Sequence, residues 1–235
     1  MKKITLLHTV KSIYNSFPSL LEDALGEKIK MTNIVDEILI SNTLEKGEFT
    51  SWNKERLLED MRVAEEEDSD LLVVTCSSLT PYVLEMADRI SKPLVTIDSA
   101  MCRTAAEKGK NILVLATAAT TVGPTLDRIK MELDRIGKKA VLNYSLRTDA
   151  MDALKRDDID EHNRILSEEA GKYMESDVVV LAQASMAPAK ESVERVKDWV
   201  VLTSPESCIE EVKAFYGKNC KPATYCIWNL VHRWR

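Results

Sequence analysis

The stretch Ser69-Asp70-Leu71-Leu72-Val73-Val74-Thr75-Cys76-Ser77-Ser78-Leu79-Thr80-Pro81 decides the fold, because the chain contains it twice. The second copy is Ser176-Asp177-Val178-Val179-Val180-Leu181-Ala182-Gln183-Ala184-Ser185-Met186-Ala187-Pro188, which aligns without a gap 107 residues later. Each copy carries a short run that is apolar on both faces, which is typical of an interior strand of a parallel sheet covered by helices. The repeat therefore predicts two related halves.

Two further matches extend the repeat in the same order. Ile4-Thr5-Leu6-Leu7-His8-Thr9 aligns with Ile112-Leu113-Val114-Leu115-Ala116-Thr117, and the strand at 94–97 has a counterpart at 200–203. The remaining predicted strands are 31–35, 71–75, 140–144 and 178–181, and the predicted helices include 51–67, 121–136 and 160–175. This alternation predicts an α/β fold with two pseudo-symmetric lobes, each a small open, mostly parallel sheet flanked by helices.

The same repeat predicts where the lobes begin and end. The first lobe is expected to comprise residues 1–97 plus 205–235, and the second lobe residues 98–204. The segment 98–110 is expected to form the helix that links them. A chain of 235 residues is long enough for one large core or two small ones without disulfides or a structural metal.

Composition excludes several function classes. The chain has 32 basic and 38 acidic residues, a net charge of −6, and no long block of either sign, so nucleic acid is not an expected partner. No apolar run approaches the roughly 20 residues that span a bilayer, and His8 and Lys11 interrupt the N-terminal apolar run, so we expect no membrane partner and a cytoplasmic location. Five cysteines without a zinc-binding spacing predict reduced thiols and no metal site.

The candidate site lies where the predicted strands end. Ligands of open parallel sheets bind beyond the carboxyl ends of the strands, where helix N-termini present unpaired N–H groups. If the two halves face each other about a pseudo-twofold axis, that axis relates Cys76 to Gln183 and the strand ends meet at one cleft. Hydroxyl groups of serine and threonine beside helix N-termini favour an anion, so we expect a small carboxylate as the ligand.

Cys76 is the expected reactive residue. A helix N-terminus favours the thiolate relative to an ordinary thiol of pKa about 8.5, which makes Cys76 a candidate acid, base or nucleophile. The alternative is an inert packing cysteine. The other cysteines are expected to be packing or surface thiols: Cys102, Cys208, Cys220 and Cys226.

Histidine and acidic residues offer weaker candidates. His8 either faces the site as a second base or is a hydrogen-bonded loop histidine, and His162 is expected to be a cap or surface residue. His232 is expected to be non-catalytic. Asp36 and Glu37 are expected to be solvated loop acids, with contact to a substrate amine as the alternative.

The strand-end motifs resemble the aspartate/glutamate/hydantoin racemase superfamily. The motifs are Thr-Cys-Ser-Ser from Thr75, Ala-Thr-x-x-Thr from Ala116, and Leu-Ala-Gln-Ala-Ser-Met from Leu181. The resemblance implies a cofactor-independent enzyme that uses two cysteines, one from each lobe, with Cys76 as the first. It also implies substrate contacts by Ser77, Ser78, Thr117 and Thr120 or Thr121. The predicted substrate-binding set is His8, Ser77, Ser78, Thr117, Thr120, Thr121, Gln183 and Ser185.

Gln183 stands where the pattern has its second cysteine. An amide does not exchange protons near neutral pH, so Gln183 cannot replace that cysteine as a base, but it can orient a carbonyl or carboxylate. The leading hypothesis is a racemase or isomerase that transfers a proton next to the carboxylate of an amino acid or hydantoin. A one-cysteine lyase that resembles arylmalonate decarboxylase, and a scaffold that only binds a carboxylate, remain as alternatives.

The C-terminal tail is apolar and contains Trp228 and Trp234. It is expected either to pack on its own lobe or to be buried at a subunit contact, which makes a homodimer possible. No residue identifies the substrate among aspartate, glutamate, hydantoin and malonate.

Overall fold

The computed structural model describes residues 1–26 and 28–217, which form two compact units. Unit 1 contains Met1–Ile97 and the described residues from Ile209 onward, and unit 2 is Asp98–Cys208. The return to unit 1 thus follows Cys208 instead of residue 204, because the crossing lies inside helix α10 (Ser204–Tyr216). Tyr216, at the end of α10, donates its hydroxyl proton to the Lys3 carbonyl at 3.0 Å. The last turns of the helix therefore belong to unit 1.

Unit 1 is a four-stranded parallel sheet with the order β2-β1-β3-β4. Its strands are β1 (Lys3–His8), β2 (Lys30–Val35), β3 (Leu71–Val74) and β4 (Leu94–Thr96). Its helices are α1 (Lys11–Leu25), α2 (Ile38–Lys46), α3 (Ser51–Glu66) and α4 (Thr80–Met86), with 3₁₀ turns at Ser77–Leu79 and Ala87–Arg89.

Unit 2 is a second four-stranded parallel sheet, with the order β6-β5-β7-β8. Its strands are β5 (Asn111–Ala116), β6 (Val141–Leu146), β7 (Val178–Leu181) and β8 (Val200–Thr203). Its helices are α5 (Ser99–Lys108), α6 (Ala119–Arg135), α7 (Thr148–Lys155), α8 (Ile159–Ala170) and α9 (Lys190–Glu194), with a 3₁₀ segment at Ala184–Ala189.

The two sheets share strand order and register. Leu7 of β1 pairs with Val74 of β3, and Leu115 of β5 pairs with Leu181 of β7. The predicted α/β class with two parallel sheets flanked by helices is confirmed. Every residue of β3 and β7 is at most 1% exposed, as expected for interior strands that are covered on both faces.

The bounds of one helix and one edge strand differ from the prediction by several residues. Helix α8 ends at Ala170 instead of residue 175, since the chain then tightens into turns in which the Lys172 N–H donates to the Glu169 carbonyl at 3.1 Å and the Tyr173 N–H to the Ala170 carbonyl at 2.9 Å. Strand β6 starts at Val141 and continues to Leu146, two residues beyond the prediction. β6 lies at the edge of its sheet and alternates in exposure, so its apolar pattern is weaker than that of β7.

His162 is a core residue, and the predicted cap or surface role is wrong. It is 0% exposed, and its Nδ1 lies 2.9 Å from the Ala150 carbonyl oxygen, which joins α8 to α7. The cap is Asp158 instead, whose carboxylate accepts the Glu161 N–H at 3.1 Å.

Gly109 lies between α5 and β5, at a position where its neighbours leave no room for a side chain. A Cβ at this position meets the Ile112 side chain and lies 2.9 Å from the Ala105 carbonyl oxygen, which is backbone and cannot move aside cheaply. We expect Gly109→Ala to lower the free energy of unfolding by about 1–3 kcal/mol through this overlap. Urea denaturation measures the change.

Gly123→Ala is the matched control for that prediction. A Cβ at Gly123 has nothing within 4 Å, and the residue lies inside α6. Alanine is there expected to stabilise the protein by about 0.5–1 kcal/mol, because it has the higher helix propensity. Equal destabilisation by both substitutions contradicts the close-packing argument at Gly109.

No helix in the described ranges is both long and apolar enough to cross a membrane. The residues named in the C-terminal tail, Cys220, Cys226, Trp228, His232 and Trp234, lie outside the described residues.

Candidate functional site

Cys76 follows β3 and begins the turn that leads into α4. Its backbone is extended, with φ −122° and ψ 109°, and its carbonyl accepts the Leu79 N–H at 3.1 Å. The side chain is half-buried against the apolar cluster between the sheet of unit 1 and its helices. Ser77 and Ser78 come next and are also half-buried. A thiol and two hydroxyl groups therefore stand together at the carboxyl edge of the sheet in unit 1.

Thr9 adds a fourth polar side chain to this edge. It directly follows β1, the strand that pairs with β3. Thr9 is only 4% exposed, yet its hydroxyl has no hydrogen-bond partner among the described residues. Leaving a buried hydroxyl unsatisfied costs about 1–3 kcal/mol, so the position is suited to a group that arrives from outside the protein. The predicted set did not include Thr9, although the alignment of Thr9 with Thr117 pointed to it.

His8 is a hydrogen-bonded, fully buried residue at the end of β1. Its Nδ1 lies 2.8 Å from the Thr75 hydroxyl, and its Nε2 lies 3.0 Å from Asn33 Oδ1. Asn33 Oδ1 can only accept, so Nε2 donates to it, whereas the single proton of the Thr75 hydroxyl is directed either to His8 Nδ1 or to the Leu7 carbonyl at 3.1 Å. Burial lowers the pKa of His8, although the hydrogen bond to Asn33 opposes this shift. Both ring nitrogens thus lie within hydrogen-bond distance of protein atoms, and the role of His8 as a second base stays a prediction.

Asp36 is buried, so the expectation of a solvated loop acid is wrong for this residue. It is 4% exposed, its Oδ1 accepts the Ile38 N–H at 3.0 Å, and its Oδ2 accepts from Arg56 Nε in a short ion pair. Asp60 on α3 lies beside this pair. Glu37, in contrast, is exposed. The Asp36 carboxylate therefore anchors the loop after β2 to α3.

The raised pKa of Asp60 predicts that the stability of the protein depends on pH. Burial, followed by the hydrogen bond and charge of Asp36, raises the pKa of Asp60 to about 7. In the unfolded chain Asp60 loses its proton near pH 4, whereas the folded protein holds it until about pH 7. The free energy of unfolding therefore falls as the pH rises from about 4 to 7.

Asp60→Asn should remove that fall, because the amide is uncharged at every pH. With partial exposure taken into account, we expect the variant to be more stable than the parent by about 1–2 kcal/mol at pH 8, and similar to it at pH 4. Urea denaturation at both pH values measures this. Glu55→Gln is the control, since Glu55 is exposed on the same helix and is not among the groups that shift the pKa of Asp60. An unchanged pH slope in Asp60→Asn contradicts the assignment.

Unit 2 has a different arrangement at the equivalent edge. Gln183 follows β7, and its Oε1 accepts three hydrogen bonds: from the Thr117 N–H at 2.6 Å, the Thr117 hydroxyl at 3.0 Å and the Ala118 N–H at 3.2 Å. Three converging donors identify this atom as the carbonyl oxygen of the amide. Gln183 therefore ties the end of β7 to the loop between β5 and α6. Both donors of Thr117 are directed to Gln183 in this structure, and the contact of Thr117 with a substrate carboxylate stays a prediction.

The remaining predicted residues of unit 2 differ in accessibility. Thr120 is exposed in the first turn of α6, whereas Thr121 is 4% exposed and its N–H donates to the Ala118 carbonyl at 3.1 Å. Ser185 is half-buried in the 3₁₀ segment after β7. The structure thus brings Cys76, Ser77 and Ser78 together in one unit and Thr117 and Gln183 together in the other.

Burial separates the other described cysteines from Cys76. Cys102 and Cys208 are both 0% exposed. Burial, with a further contribution from the charge of Asp98, raises the pKa of the Cys102 thiol well above its usual range. Within residues 1–26 and 28–217, no group of three or more histidine, cysteine, aspartate or glutamate side chains is arranged to hold a metal ion.

Comparison with known families agrees with the motifs at the strand ends. The family model described as Asp/Glu/Hydantoin racemase matches residues 8–211. The chain belongs to the Asp/Glu/hydantoin racemase family. The resemblance inferred from the sequence is thereby confirmed, and it extends over both units of this racemase-family protein. No curated protein sequence matches the chain.

Solved structures of racemase-family proteins share the fold. An aspartate racemase homologue from Pyrococcus horikoshii has a TM-score of 0.69 at 17% identity, over 90% of this chain and 97% of that chain. Allantoin racemase from Klebsiella pneumoniae has a TM-score of 0.63 at 14% identity, over 92% and 87%. Arylmalonate decarboxylase has a TM-score of 0.57 at 11% identity, over 94% and 95%. At these identities the likeness shows a common fold, which serves both racemases and a decarboxylase.

Proposed function

We propose that this protein is a cofactor-independent enzyme that transfers a proton at the carbon next to the carboxylate of a small acid, with Cys76 as the acid or base. The observation that carries the proposal is the half-buried Cys76 thiol beside Ser77 and Ser78, at the carboxyl edge of a parallel sheet, in a chain of the racemase family. Proteins that share its fold include aspartate, glutamate and allantoin racemases.

The carboxylate of the substrate binds in unit 1. The hydroxyl groups of Ser77 and Ser78 are partly accessible, and the buried hydroxyl of Thr9 lacks a partner among the described residues. These hydroxyls offer neutral donors to an anion, which keeps the carboxylate bound without a lysine or arginine. The substrate contacts expected from the sequence at Thr120, Thr121 and Ser185 stay predictions.

The chemistry at Cys76 needs no group beyond the chain and the substrate. The thiolate takes the α-proton and becomes a thiol, while the electron pair of the broken C–H bond moves into the carboxylate to give an enediolate. Return of the proton from Cys76 restores the original configuration, so inversion requires a second proton donor on the opposite face of the enediolate. Hydrogen-bond donors at the carboxylate stabilise the charge that develops there. His8 acts as a positioning residue, since it holds Thr75, the neighbour of Cys76, through its Nδ1.

A racemase or isomerase is the reaction class that the family favours, and a test separates it from its runner-up. The purified protein is incubated in deuterated water with aspartate, glutamate, hydantoins, allantoin and arylmalonates. Proton NMR measures α-deuteration and loss of carbon dioxide, and chiral chromatography measures inversion. Exchange with inversion establishes a racemase. Exchange of none of the amino acids and hydantoins, together with decarboxylation of a malonate, removes the racemase assignment.

One observation favours the runner-up, a one-cysteine lyase. Gln183, at the position equivalent to Cys76, is an amide that is tied to Thr117 and Ala118. A single acid at Cys76 suffices for a decarboxylase, which protonates its enediolate from one face. The structural likeness to arylmalonate decarboxylase is compatible with this reaction.

A scaffold that only binds a carboxylate is the third hypothesis, and alkylation tests it. If Cys76 is catalytic, iodoacetamide is expected to modify it faster than the other four thiols, and a bound carboxylate is expected to slow the reaction. Peptide mass spectrometry after short exposures gives the rate for each cysteine. A Cys76 that reacts no faster than the rest counts against catalysis.

A further inference from the structure

Strand β6 is an edge strand of unit 2 whose outer side is open. It ends the strand order β6-β5-β7-β8, so among the described strands only β5 pairs with it. The odd-numbered residues bond to β5, as Val141 does through its N–H to the Lys110 carbonyl at 2.8 Å. Successive residues of a strand direct their backbone N–H and C=O groups to opposite sides. The groups that point away from the sheet are therefore those of Leu142, Tyr144 and Leu146.

The side chains at this edge are apolar and exposed. Val141 is 57% exposed, Tyr144 56% and Leu146 37%, and the strand contains no charged residue. Tyr173 covers the edge only loosely, since its hydroxyl donates to the Tyr144 carbonyl at 3.5 Å, which is long for a hydrogen bond. An apolar edge strand without charges, proline or a bulge is a template for pairing with another strand. The β6 edge is therefore suited to a partner strand.

The sequence of β6 favours a second copy of the same strand as that partner. Leu142-Asn143-Tyr144-Ser145-Leu146 has the same kinds of residue in the same order from either end. When two such strands run antiparallel about a twofold axis at Tyr144, Leu142 of each copy lies opposite Leu146 of the other, and Tyr144 lies opposite Tyr144. The residues that then exchange hydrogen bonds are the three whose backbone groups point outward. Apolar contacts and backbone pairing thus agree on one register.

Charged residues beyond the two ends of β6 fit the same register. Lys139 is exposed before the strand, and Asp149 follows it at the same distance along the chain from Tyr144. Asp149 pairs with Arg147 of its own chain, yet its side chain stays 54% exposed. In the antiparallel pair, Lys139 of each copy comes to the end of the interface that carries Asp149 of the other. Such rim charges favour the correct orientation and register of the two copies.

We propose that β6 is an interface between two copies of this chain, which pair antiparallel about a twofold axis at Tyr144 and join their four-stranded sheets into one sheet of eight strands. The same surface of each copy is used, so the assembly closes at a dimer. Backbone hydrogen bonds between the two strands replace the long contact from Tyr173. The inference uses unit 2 alone and does not depend on the proposed function.

Disulfide cross-linking of the full-length protein tests the register. Facing residues of a hydrogen-bonded antiparallel pair have Cα atoms about 5.5 Å apart, which a disulfide spans. We expect Tyr144→Cys to form a covalent dimer under copper–phenanthroline oxidation at least about tenfold faster than Val141→Cys, because only residue 144 meets its own copy at the axis. The two positions are equally exposed. Non-reducing gel electrophoresis measures the rate, and the parent protein gives the background from its own cysteines.

Charge substitution at the axis tests whether this pairing drives association. Tyr144→Lys places two like charges opposite each other, and we expect it to weaken the dimer at least about tenfold in analytical ultracentrifugation. Tyr144→Glu should have the same effect, whereas an equimolar mixture of the two variants should dimerise again. Val63→Lys is the control for an added charge, because Val63 is exposed on α3 of unit 1.

The inference is overturned by a parent protein that stays monomeric at about 0.1 mM, or by a dimer that persists in Tyr144→Lys. Equal cross-linking rates at positions 144 and 141 also overturn it, since they show association through another surface. If Tyr144→Lys does not fold, as judged by circular dichroism, the cross-linking rates of the two cysteine variants still decide.

Discussion

Cys76→Ala should lower the rate of α-proton exchange by about 10²- to 10⁴-fold, the range that a positioned acid or base contributes. The thiol of Cys76 is the proton-transferring group in the proposed reaction, and an alanine at the strand end leaves the carboxylate donors of Ser77 and Ser78 in place. Substrate binding should therefore change little while the chemical step is lost. Deuterium incorporation measured by proton NMR gives the rate, and isothermal titration with the carboxylate gives the affinity.

Cys102→Ala is the matched control for that result. Cys102 is buried in unit 2, and its raised pKa keeps it a neutral thiol. We expect the Cys102 variant to lose stability by about 1 kcal/mol while its exchange rate at 25 °C stays within about threefold of the parent. A Cys76 variant that retains the parent rate removes Cys76 from the mechanism.

Thr9→Val should lower kcat/KM by about 10- to 100-fold. Valine has the shape of threonine without the hydroxyl, and a hydrogen bond to a charged group contributes about 1.5–3 kcal/mol. Because the hydroxyl of Thr9 is buried without a partner among the described residues, its removal should leave the free protein as stable as before or more stable. Loss of activity without loss of stability is what distinguishes a substrate contact from a packing residue.

Thr5→Val provides the comparison within the same strand. The Thr5 hydroxyl donates to Ser69 Oγ at 2.9 Å, and Thr5 lies three positions before His8, towards the amino end of β1. We expect this variant to lose about 1 kcal/mol of stability and to keep its kcat/KM. If Thr9→Val and Thr5→Val have the same kinetics as the parent, Thr9 does not touch the substrate.

The interior strands were predictable because a strand that is buried on both faces is apolar at successive positions. Runs such as Leu71-Leu72-Val73-Val74 are apolar on both faces, and the repeat at 176–188 supports the same strand assignment in the second half of the chain. The position of Cys76 followed from the same pattern, since it stands directly after such a run. The predicted bounds of the edge strand β6 and the predicted end of α8 were less accurate. Edge strands alternate in polarity, and helix ends depend on local hydrogen bonds.

The hydrogen bonds of the polar residues were not predictable from their positions. Gln183 contacts a loop 66 residues earlier in the chain, and no local pattern records which way its amide turns. The burial of His8 depends on Asn33 and Thr75, which follow from the pairing of three separate strands. The burial of Asp36 was not predictable from its position after a strand. Its partner Arg56 lies on α3 and reaches it only when α3 packs on the sheet.

Helix α10 has a consequence for the order in which the protein can be completed during synthesis. Unit 2 is continuous in the chain, whereas unit 1 needs the end of α10, where the Tyr216 hydroxyl reaches the Lys3 carbonyl. A ribosome therefore releases every residue of unit 2 before unit 1 receives its last helix. The contact between Tyr216 and Lys3 therefore forms only after all of unit 2 has been synthesised, whereas a domain that is continuous from the N-terminus completes its contacts as it emerges.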